Sequence, residues 1–363
     1  MQHPNPEEIG AALTRWLRSR PAHAGIPPAV EVRHVQPPIQ GFSNETWLLD
    51  LVETGRDGQP QVRPAVLRLQ PADTGLFPQY DLGLQVRCLR ALADTGLPVP
   101  AVLGNARADE AANPFGRDFY VMERLAGRCP VENPPYHTAG WLHDLPAARQ
   151  RAVWWAGVEG MARLHRLDET ALRERGFMDL LPQPQQGATA LDLQLAQWRD
   201  LLAWAESLAE PYPVLRSALT WLGAHRPTDE PTGLCWGDPK LGNCLFNPDT
   251  DQLTGMLDWE SAHLGNPVDD LAWWLVLDRS LCEGYGFARL PHLPDRAETV
   301  AFWEAHSGRS ARDLAYYEVY AAFKLSVIMA RIGCLFTARG LVPREMRMDL
   351  HNGGTALLAL LRP

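Results

Sequence analysis

Lysine is almost absent from this chain of 363 residues. Only Lys240 and Lys324 are lysines among its 34 basic residues, so arginine supplies nearly all the positive charge. A cationic contact at a functional site is therefore expected to be an arginine. An excess of basic charge is absent as well, since the formal net charge is −9. This balance argues against a nucleic-acid-binding protein, because such proteins carry a basic face.

Cysteine pairs and long apolar runs are missing too. The six cysteines are scattered without a C-x-x-C pair, which argues against a zinc site or a disulfide framework and agrees with a reducing cytosol. The first residues, MQHPNPEEIG, are polar and acidic, unlike a secretion signal. The apolar run LAWWLVL at 271–277 is too short to span a bilayer. We expect a cytoplasmic protein that binds neither nucleic acid nor membrane, and the sequence leaves its oligomeric state open.

Two regions with different secondary structure are predicted. After a first helix with Ile9, Leu13, Trp16 and Leu17 on one face, apolar alternation and turn residues indicate three strands, a helix and two more strands. The strands are expected at 31–35, 45–53, 62–70, 99–104 and 117–125, and the helix at 80–96. Helical spacing then dominates at 147–166, 191–208, 212–225, 296–306, 312–338 and 345–361. This order predicts an α+β protein of two lobes, 1–125 and 126–363, and the cleft between lobes is a common ligand site.

Three polar residues stand out in WGDPKLGN and MLDWE. Asp238 and Asn243 are five positions apart in a short turn, and Asp258 follows a short apolar run. Taken singly, the first two could be a solvated turn and the third a helix cap. Together they suit phosphoryl transfer from a nucleotide. That reaction needs a carboxylate beside the attacking hydroxyl and oxygen ligands for Mg²⁺.

The motif residues resemble the aminoglycoside phosphotransferase/choline kinase family. Its signature is H-G-D-x-x-x-x-N followed by D-x-E or D-W-E, and its members share the protein-kinase-like fold. GFSNETWLL resembles the family's nucleotide-positioning hairpin, AVLRLQP its phosphate-holding strand, and FYVMERLAG its hinge. With MARLHRLD, a shared helix, the resemblance spans roughly 38–278. It implies an antiparallel-sheet N-lobe that binds the nucleotide and a mainly helical C-lobe that carries the catalytic loop and the acceptor site.

The resemblance also implies roles for individual residues. Asp238 would be the catalytic base, and Asn243 and Asp258 would bind Mg²⁺. Arg68 would hold the nucleotide phosphates where many relatives have lysine. The other nucleotide-binding residues would be Ser43 and Asn44 over the phosphates, Gln85 beside Arg68, Met122 behind the adenine, and the Glu123 carbonyl and Leu125 amide at the hinge.

Two departures from the family pattern bear on activity. Trp236 replaces the signature histidine, and we expect it to pack under the loop and to donate through its indole N–H. Gln85 replaces the usual helix glutamate, so the ion pair with Arg68 is lost, although an amide oxygen can still accept a hydrogen bond. Outside the motif, His165 is interpreted as a buried structural group, and Asp269 and Asp270 as favourable charges at a helix N-terminus, where capping is preferred to catalysis. Only one ring of the tryptophan pair 273–274 can enter the same core face. The other ring is interpreted as packing between the lobes, with the flank of a pocket as the alternative.

The resemblance predicts a kinase that transfers phosphate from ATP, with GTP as the alternative donor, to a hydroxyl of a small molecule. The alternatives are a pseudokinase or nucleotide-binding module, a true aminoglycoside or choline-type kinase, and a hydrolase that uses Asp238 and Asp258 as an acid/base pair. A polycationic acceptor needs free carboxylates, whereas the helices after residue 311 contain more basic than acidic residues. The basic residues counted there are Arg312, Lys324, Arg331, Arg339, Arg344, Arg347 and Arg362. They are either a solvated surface or part of a site for an anionic or neutral acceptor, such as a hydroxy acid or its coenzyme A thioester.

Overall fold

A computed structural model describes residues 5–19, 29–37, 44–55, 58–72 and 75–361. The chain divides into two compact units, Met1–Ala126 and Gly127–Pro363. This break lies one residue from the division expected from the sequence. Ser43 and Arg362, both named above, lie outside the described residues.

The first unit is built on a five-stranded antiparallel sheet with the strand order β1-β2-β3-β5-β4. Its elements follow the predicted order of helix, three strands, helix and two strands. They are α1 (Pro6–Arg18), β1 (Glu31–Gln36), β2 (Glu45–Thr54), β3 (Pro60–Leu69), α2 (Leu82–Leu92), β4 (Val102–Ala106) and β5 (Phe119–Glu123).

The core of this unit lies between α1 and the sheet. The predicted apolar face of α1 is confirmed, since Ile9, Leu13, Trp16 and Leu17 are all buried. The Trp16 ring meets Phe119 of β5 edge to face, with ring centroids 4.8 Å apart. Burial of a large side chain of this kind contributes about 1.5–3 kcal/mol, so these contacts fix α1 against the strands.

The second unit is mainly helical and contains two small two-stranded sheets, β6–β9 and β7–β8. Its helices are α3 (Ala147–His165), α4 (Glu169–Glu174), α5 (Phe177–Leu180), α6 (Ala190–Ser207), α7 (Pro213–Ala224), α8 (Val268–Ser280), α9 (Arg296–Ser307), α10 (Leu314–Ala338) and α11 (Gly353–Leu361). Its strands are β6 (Gly233–Cys235), β7 (Cys244–Phe246), β8 (Leu253–Met256) and β9 (His263–Gly265).

Two features near the C-terminal end of the chain differ from expectation. The helix expected at 345–361 begins only at Gly353, because the Asn352 side chain accepts a hydrogen bond from the Thr355 amide and caps a shorter α11. The 25 residues of α10 are long and apolar enough to cross a membrane by length and composition alone, and 67% of its apolar window is buried. A core helix passes the same test.

Candidate active site

A hairpin in the second unit brings two of the predicted site residues together. A 3-10 turn, Leu241–Asn243, leads into β7, and Cys244 pairs with Met256 of β8. The Leu257 amide donates to the Asn243 carbonyl at 2.9 Å, so Asp258 emerges one residue beyond this closing bond. Asp258 has a φ of 61°, in the left-handed region that a non-glycine residue seldom adopts. Such strain in an ordered hairpin is typical of functional sites.

Asp238 lies beside Asn243 and is held through both carboxylate oxygens. The Asn243 Nδ2 atom donates to Asp238 Oδ2 at 2.8 Å and to the Asp238 carbonyl at 2.9 Å. The indole N–H of Trp273, in α8, donates to Asp238 Oδ1 at 2.7 Å. Burial raises the pKa of Asp238 to about 6; the charge of Lys240 opposes this shift, whereas the Asp258 carboxylate adds to it. Asp238 is therefore linked to Asn243 by hydrogen bonds and to Asp258 through the effect of that residue's charge on its pKa.

Two stacked tryptophans support the segment before Asp258. Trp236 and Trp259 are buried, with ring centroids 5.4 Å apart and planes inclined by 23°. The Trp236 indole donates to the Leu257 carbonyl at 2.8 Å, and the Trp259 indole donates to the Met256 carbonyl at 3.0 Å. The prediction that Trp236 packs under the loop and donates through its indole N–H is confirmed.

Asp270 holds the backbone of the loop that carries Asp238. Its carboxylate accepts hydrogen bonds from the amides of Trp236 at 2.6 Å and Gly237 at 2.9 Å. Gly237 has a φ of 88°, and a Cβ there would collide with the Ser261 carbonyl oxygen, so only glycine fits. Asp270 lies in the first turn of α8, as predicted, but it makes no capping hydrogen bond there, because its oxygens bind the amides of another segment.

His165 completes this support from the other side of Asp270. The Trp303 indole donates to His165 Nδ1 at 2.9 Å, which assigns the hydrogen of a neutral ring to Nε2. That atom lies 3.0 Å from Asp270 Oδ2 and donates to it. His165 is fully buried. Its interpretation as a structural group is confirmed.

Both lysines of the chain form ion pairs in the second unit. Lys240 Nζ lies 3.2 Å from Glu132 Oε2 and 3.8 Å from Asp238 Oδ2. Lys324 is buried and donates to both oxygens of Asp269, at 2.7 and 2.9 Å. The inclusion of Lys324 among solvated or acceptor-binding basic residues was therefore wrong. Asp269 does lie in the first turn of α8, as predicted, but its carboxylate pairs with Lys324 and makes no capping hydrogen bond. An isolated buried charge is costly, and each member of this pair neutralises the other.

Arg68 and its predicted neighbours lie in the first unit. Arg68 of β3 lies opposite Tyr120 of β5 in the register, so the two side chains project from the same face of the sheet. The Tyr120 hydroxyl donates to Gln85 Oε1 at 2.8 Å, and Gln85, in α2, is buried. The Gln85 amide thus lies on the same side of the sheet as Arg68, and one acceptor position of its oxygen is taken by a phenol. Its pairing with Arg68 stays a prediction.

The remaining predicted nucleotide-binding residues frame the same sheet. Asn44 is buried directly before β2. Met122 and Glu123 are the last two residues of β5, and both are half-buried. Leu125 follows two residues beyond the end of the strand. The roles of Asn44 at the phosphates and of Met122, Glu123 and Leu125 at the adenine stay predictions.

The chain belongs to the phosphotransferase enzyme family, whose family model matches residues 34–310. Acyl-CoA dehydrogenase family member 10 of Mus musculus is 29% identical over 236 residues, which are 64% of this chain and 19% of that protein. Acyl-CoA dehydrogenase family member 11 of Homo sapiens is 27% identical over 233 residues, 64% of this chain and 26% of that protein. The chain thus spans about a fifth to a quarter of the length of these relatives.

Solved structures agree in fold. A protein described as a "putative aminoglycoside phosphotransferase" from Ralstonia eutropha superposes with a TM-score of 0.68 at 22% identity, covering 97% of this chain and 98% of that one. An ethanolamine kinase from Plasmodium vivax superposes with a TM-score of 0.53 at 12% identity, covering 90% and 81%. The predicted two-lobed, kinase-like α+β fold is confirmed.

One contact at the site was missed by the sequence reasoning. For the second ring of the Trp273–Trp274 pair, packing between the lobes was preferred to the flank of a pocket, whereas the Trp273 indole bonds the side chain of Asp238. The available signal was its spacing, since Trp273 follows Asp270 by three residues and so shares its helix face. Most buried indole N–H groups also find an acceptor.

Proposed function

We propose that this protein catalyses Mg²⁺-dependent transfer of the γ-phosphoryl group of ATP to a hydroxyl of a small molecule that is neutral or anionic. The observation that carries this proposal is the paired geometry of Asp238 and Asn243, with Asp258 close enough to raise the pKa of Asp238. A base must be near an acceptor hydroxyl, and a metal ligand must be near the base, for phosphoryl transfer to proceed.

Asp238 accepts the hydroxyl proton in this mechanism. As the acceptor oxygen bonds to the γ-phosphorus, the bond from that phosphorus to the bridging oxygen breaks, and ADP leaves with that electron pair. A base is most effective when its pKa lies close to the working pH. The pKa of about 6 that burial gives Asp238 leaves it ionised at neutral pH and still basic enough to accept a proton.

Asn243 and Asp258 fit a magnesium ion. The Asn243 Nδ2 atom is directed at Asp238, which leaves the amide oxygen as the ligand that this side chain can offer. No group of three or more His, Cys, Asp and Glu residues that could hold a metal occurs in the described part of the chain. Two protein ligands suffice for Mg²⁺, which takes its other ligands from phosphates and water. When bound, the ion neutralises charge on the nucleotide phosphates.

The charge balance around the catalytic loop favours a neutral or anionic acceptor. A polycation needs several unpaired carboxylates, but most acidic residues between Asp229 and Glu283 are paired with a basic side chain inside the unit. The pairs are Asp229 with Arg312, Glu230 with Arg226, Asp251 with Arg149, Asp269 with Lys324, Asp278 with Arg289 and Glu283 with Arg279. Hydroxy acids and their coenzyme A thioesters fit this charge balance, and the two relatives' names refer to acyl-CoA chemistry.

An ATP-consumption screen tests the proposal. The panel holds aminoglycosides, choline-like cations, sugars, hydroxy acids and hydroxyacyl-CoA thioesters, with Asp238→Asn as the matched control. We expect turnover with a hydroxy acid or its thioester and a loss of at least about a hundredfold in the variant. Isothermal titration should give the same nucleotide affinity for both proteins, because the base acts on the acceptor. Efficient phosphorylation of kanamycin-type compounds would contradict the acceptor class, and full turnover by Asp238→Asn would contradict the mechanism.

A nucleotide-binding protein without turnover is the second candidate. It is favoured by Gln85, which supplies no negative charge for an ion pair with Arg68 and whose oxygen already binds Tyr120. Tight binding of Mg·ATP with no consumption across the whole panel, including water as acceptor, would support this candidate over the kinase.

A further inference from the structure

One face of α8 engages three successive residues of the catalytic loop. Asp270 accepts from the amides of Trp236 and Gly237, and Trp273 donates to the side chain of Asp238. Asp270 and Trp273 are three residues apart, so their side chains project from neighbouring positions of the helix. The loop backbone and the carboxylate are thus bound by the same helical turn.

The Trp273 contact has the geometry of a strong hydrogen bond. Its Nε1 atom lies 2.7 Å from Asp238 Oδ1, and the Trp273 side chain is 5% exposed. An indole N–H can only donate, and a bond from it to an ionised acceptor is shorter and stronger than a bond between neutral groups. Because Asn243 binds the other oxygen, the two donors fix the plane of the carboxylate.

The indole itself is held in place by a buried cation. Lys324 Nζ lies 5.1 Å from the centroid of the Trp273 ring, within the range of a cation–π contact. The Lys324 ammonium group is held in this position because both carboxylate oxygens of Asp269 accept hydrogen bonds from it. A chain of contacts therefore runs from the Asp269–Lys324 pair through the Trp273 ring to the catalytic carboxylate.

We propose that Trp273 is a positioning residue, whose indole N–H holds the Asp238 carboxylate in the orientation that receives the acceptor proton. This role rests on the proposed function, in which Asp238 is the base. It requires the N–H group and not merely the ring. An aromatic ring without that group would keep the packing and lose the orientation.

Trp273→Phe tests this requirement, with Trp274→Phe as the matched control. Trp274 is also buried, and its Nε1 atom has no hydrogen-bond partner among the residues that the structure describes. Both substitutions remove one indole from adjacent positions of α8. A hydrogen bond to a charged group is equivalent to roughly a tenfold to hundredfold change in rate. We expect that loss in kcat for Trp273→Phe, with the KM for ATP unchanged, and no such loss for Trp274→Phe.

An independent readout does not depend on turnover. In ¹H–¹⁵N spectra of the full chain, the indole resonance that disappears in Trp273→Phe should be the one that moves most in Asp238→Asn. Loss of the carboxylate charge weakens its hydrogen bond. Trp274→Phe should remove a different resonance, one that Asp238→Asn leaves in place.

The outcomes separate the two proposals. If the wild-type protein consumes no ATP with any acceptor, the proposed function fails, while the spectra still report on the contact. If the wild type is active and the two phenylalanine variants have the same kcat, the positioning role is overturned. An unmoved Trp273 resonance in Asp238→Asn overturns it as well.

Discussion

Replacement of Asp270 by asparagine should destabilise the second unit strongly. The Asp270 carboxylate is 1% exposed and accepts hydrogen bonds from the Trp236 amide, the Gly237 amide and His165 Nε2. Asparagine has one oxygen, so its NH₂ group must face one or more of these donors. Loss of a bond to a charged group costs about 1.5–3 kcal/mol, and a buried donor left unpaired costs about 1–3 kcal/mol more. We expect a loss of about 4 kcal/mol in the free energy of unfolding, and a Tm lower by roughly 10 °C.

Urea unfolding followed by far-UV circular dichroism measures this loss, with a thermal melt as a second assay. Asp200→Asn is the control, because its carboxylate is 70% exposed and bonds only the adjacent Arg199 among the described residues. Exposed pairs of this kind contribute little, so this variant should unfold like the wild type. Equal stability of the Asp270 and Asp200 variants would refute the argument that a buried carboxylate holds the loop backbone.

Three further predictions concern the metal, the nucleotide and pH. Asp258→Ala should weaken Mg·ATP binding more than Asn243→Ala does, because it removes a formal charge beside a dication. Titration calorimetry with and without Mg²⁺ gives the ATP affinities of the two variants. The reverse order of affinities would contradict the assignment of the metal ligands. Gln85→Glu should tighten ATP binding or leave it unchanged, because it supplies an anion near Arg68, the proposed phosphate-binding residue. A large loss of ATP affinity in this variant would mean that α2 does not support Arg68. Burial opposes ionisation of Asp269, but Lys324 and His263 together outweigh it and the pKa is lowered. This stabilisation is present above the unfolded pKa of about 4 and is lost as the pH falls through the folded pKa. The free energy of unfolding should therefore differ less between pH 3 and pH 6 in Lys324→Met than in the wild type.

The motif could be found from the sequence because its parts are local. Asp238 and Asn243 lie in one turn, and the pairing of Cys244 with Met256 needs only a short hairpin to bring Asp258 beside them. Strand and helix patterns of the first unit are also local, so the order of its elements was predicted correctly. The role of Trp236 could also be predicted, since an indole can replace a histidine as a donor.

The supports behind the motif could not be found in the same way. Asp269 and Asp270 stand at the start of a helix, where local reasoning assigns carboxylates to the helix N-terminus. Their actual partners, Lys324 and the amides of Trp236 and Gly237, are distant in the sequence. Pairings at such separations are set by how the helices pack, which residue spacing within one helix does not specify.

The scarcity of lysine has a practical consequence now that both lysines are located. The Lys324 side chain is 4% exposed, while that of Lys240 is 24% exposed and lies beside Asp238. Burial alone would lower the pKa of Lys240, but the neighbouring Asp238 and Glu132 carboxylates raise it, so this amine stays protonated. Amine-reactive reagents should therefore label both lysines of the folded protein slowly, Lys324 because it is buried and Lys240 because its carboxylate partners keep the proton on it. Unfolding removes both kinds of protection, so the rate of lysine labelling would report on unfolding of the second unit.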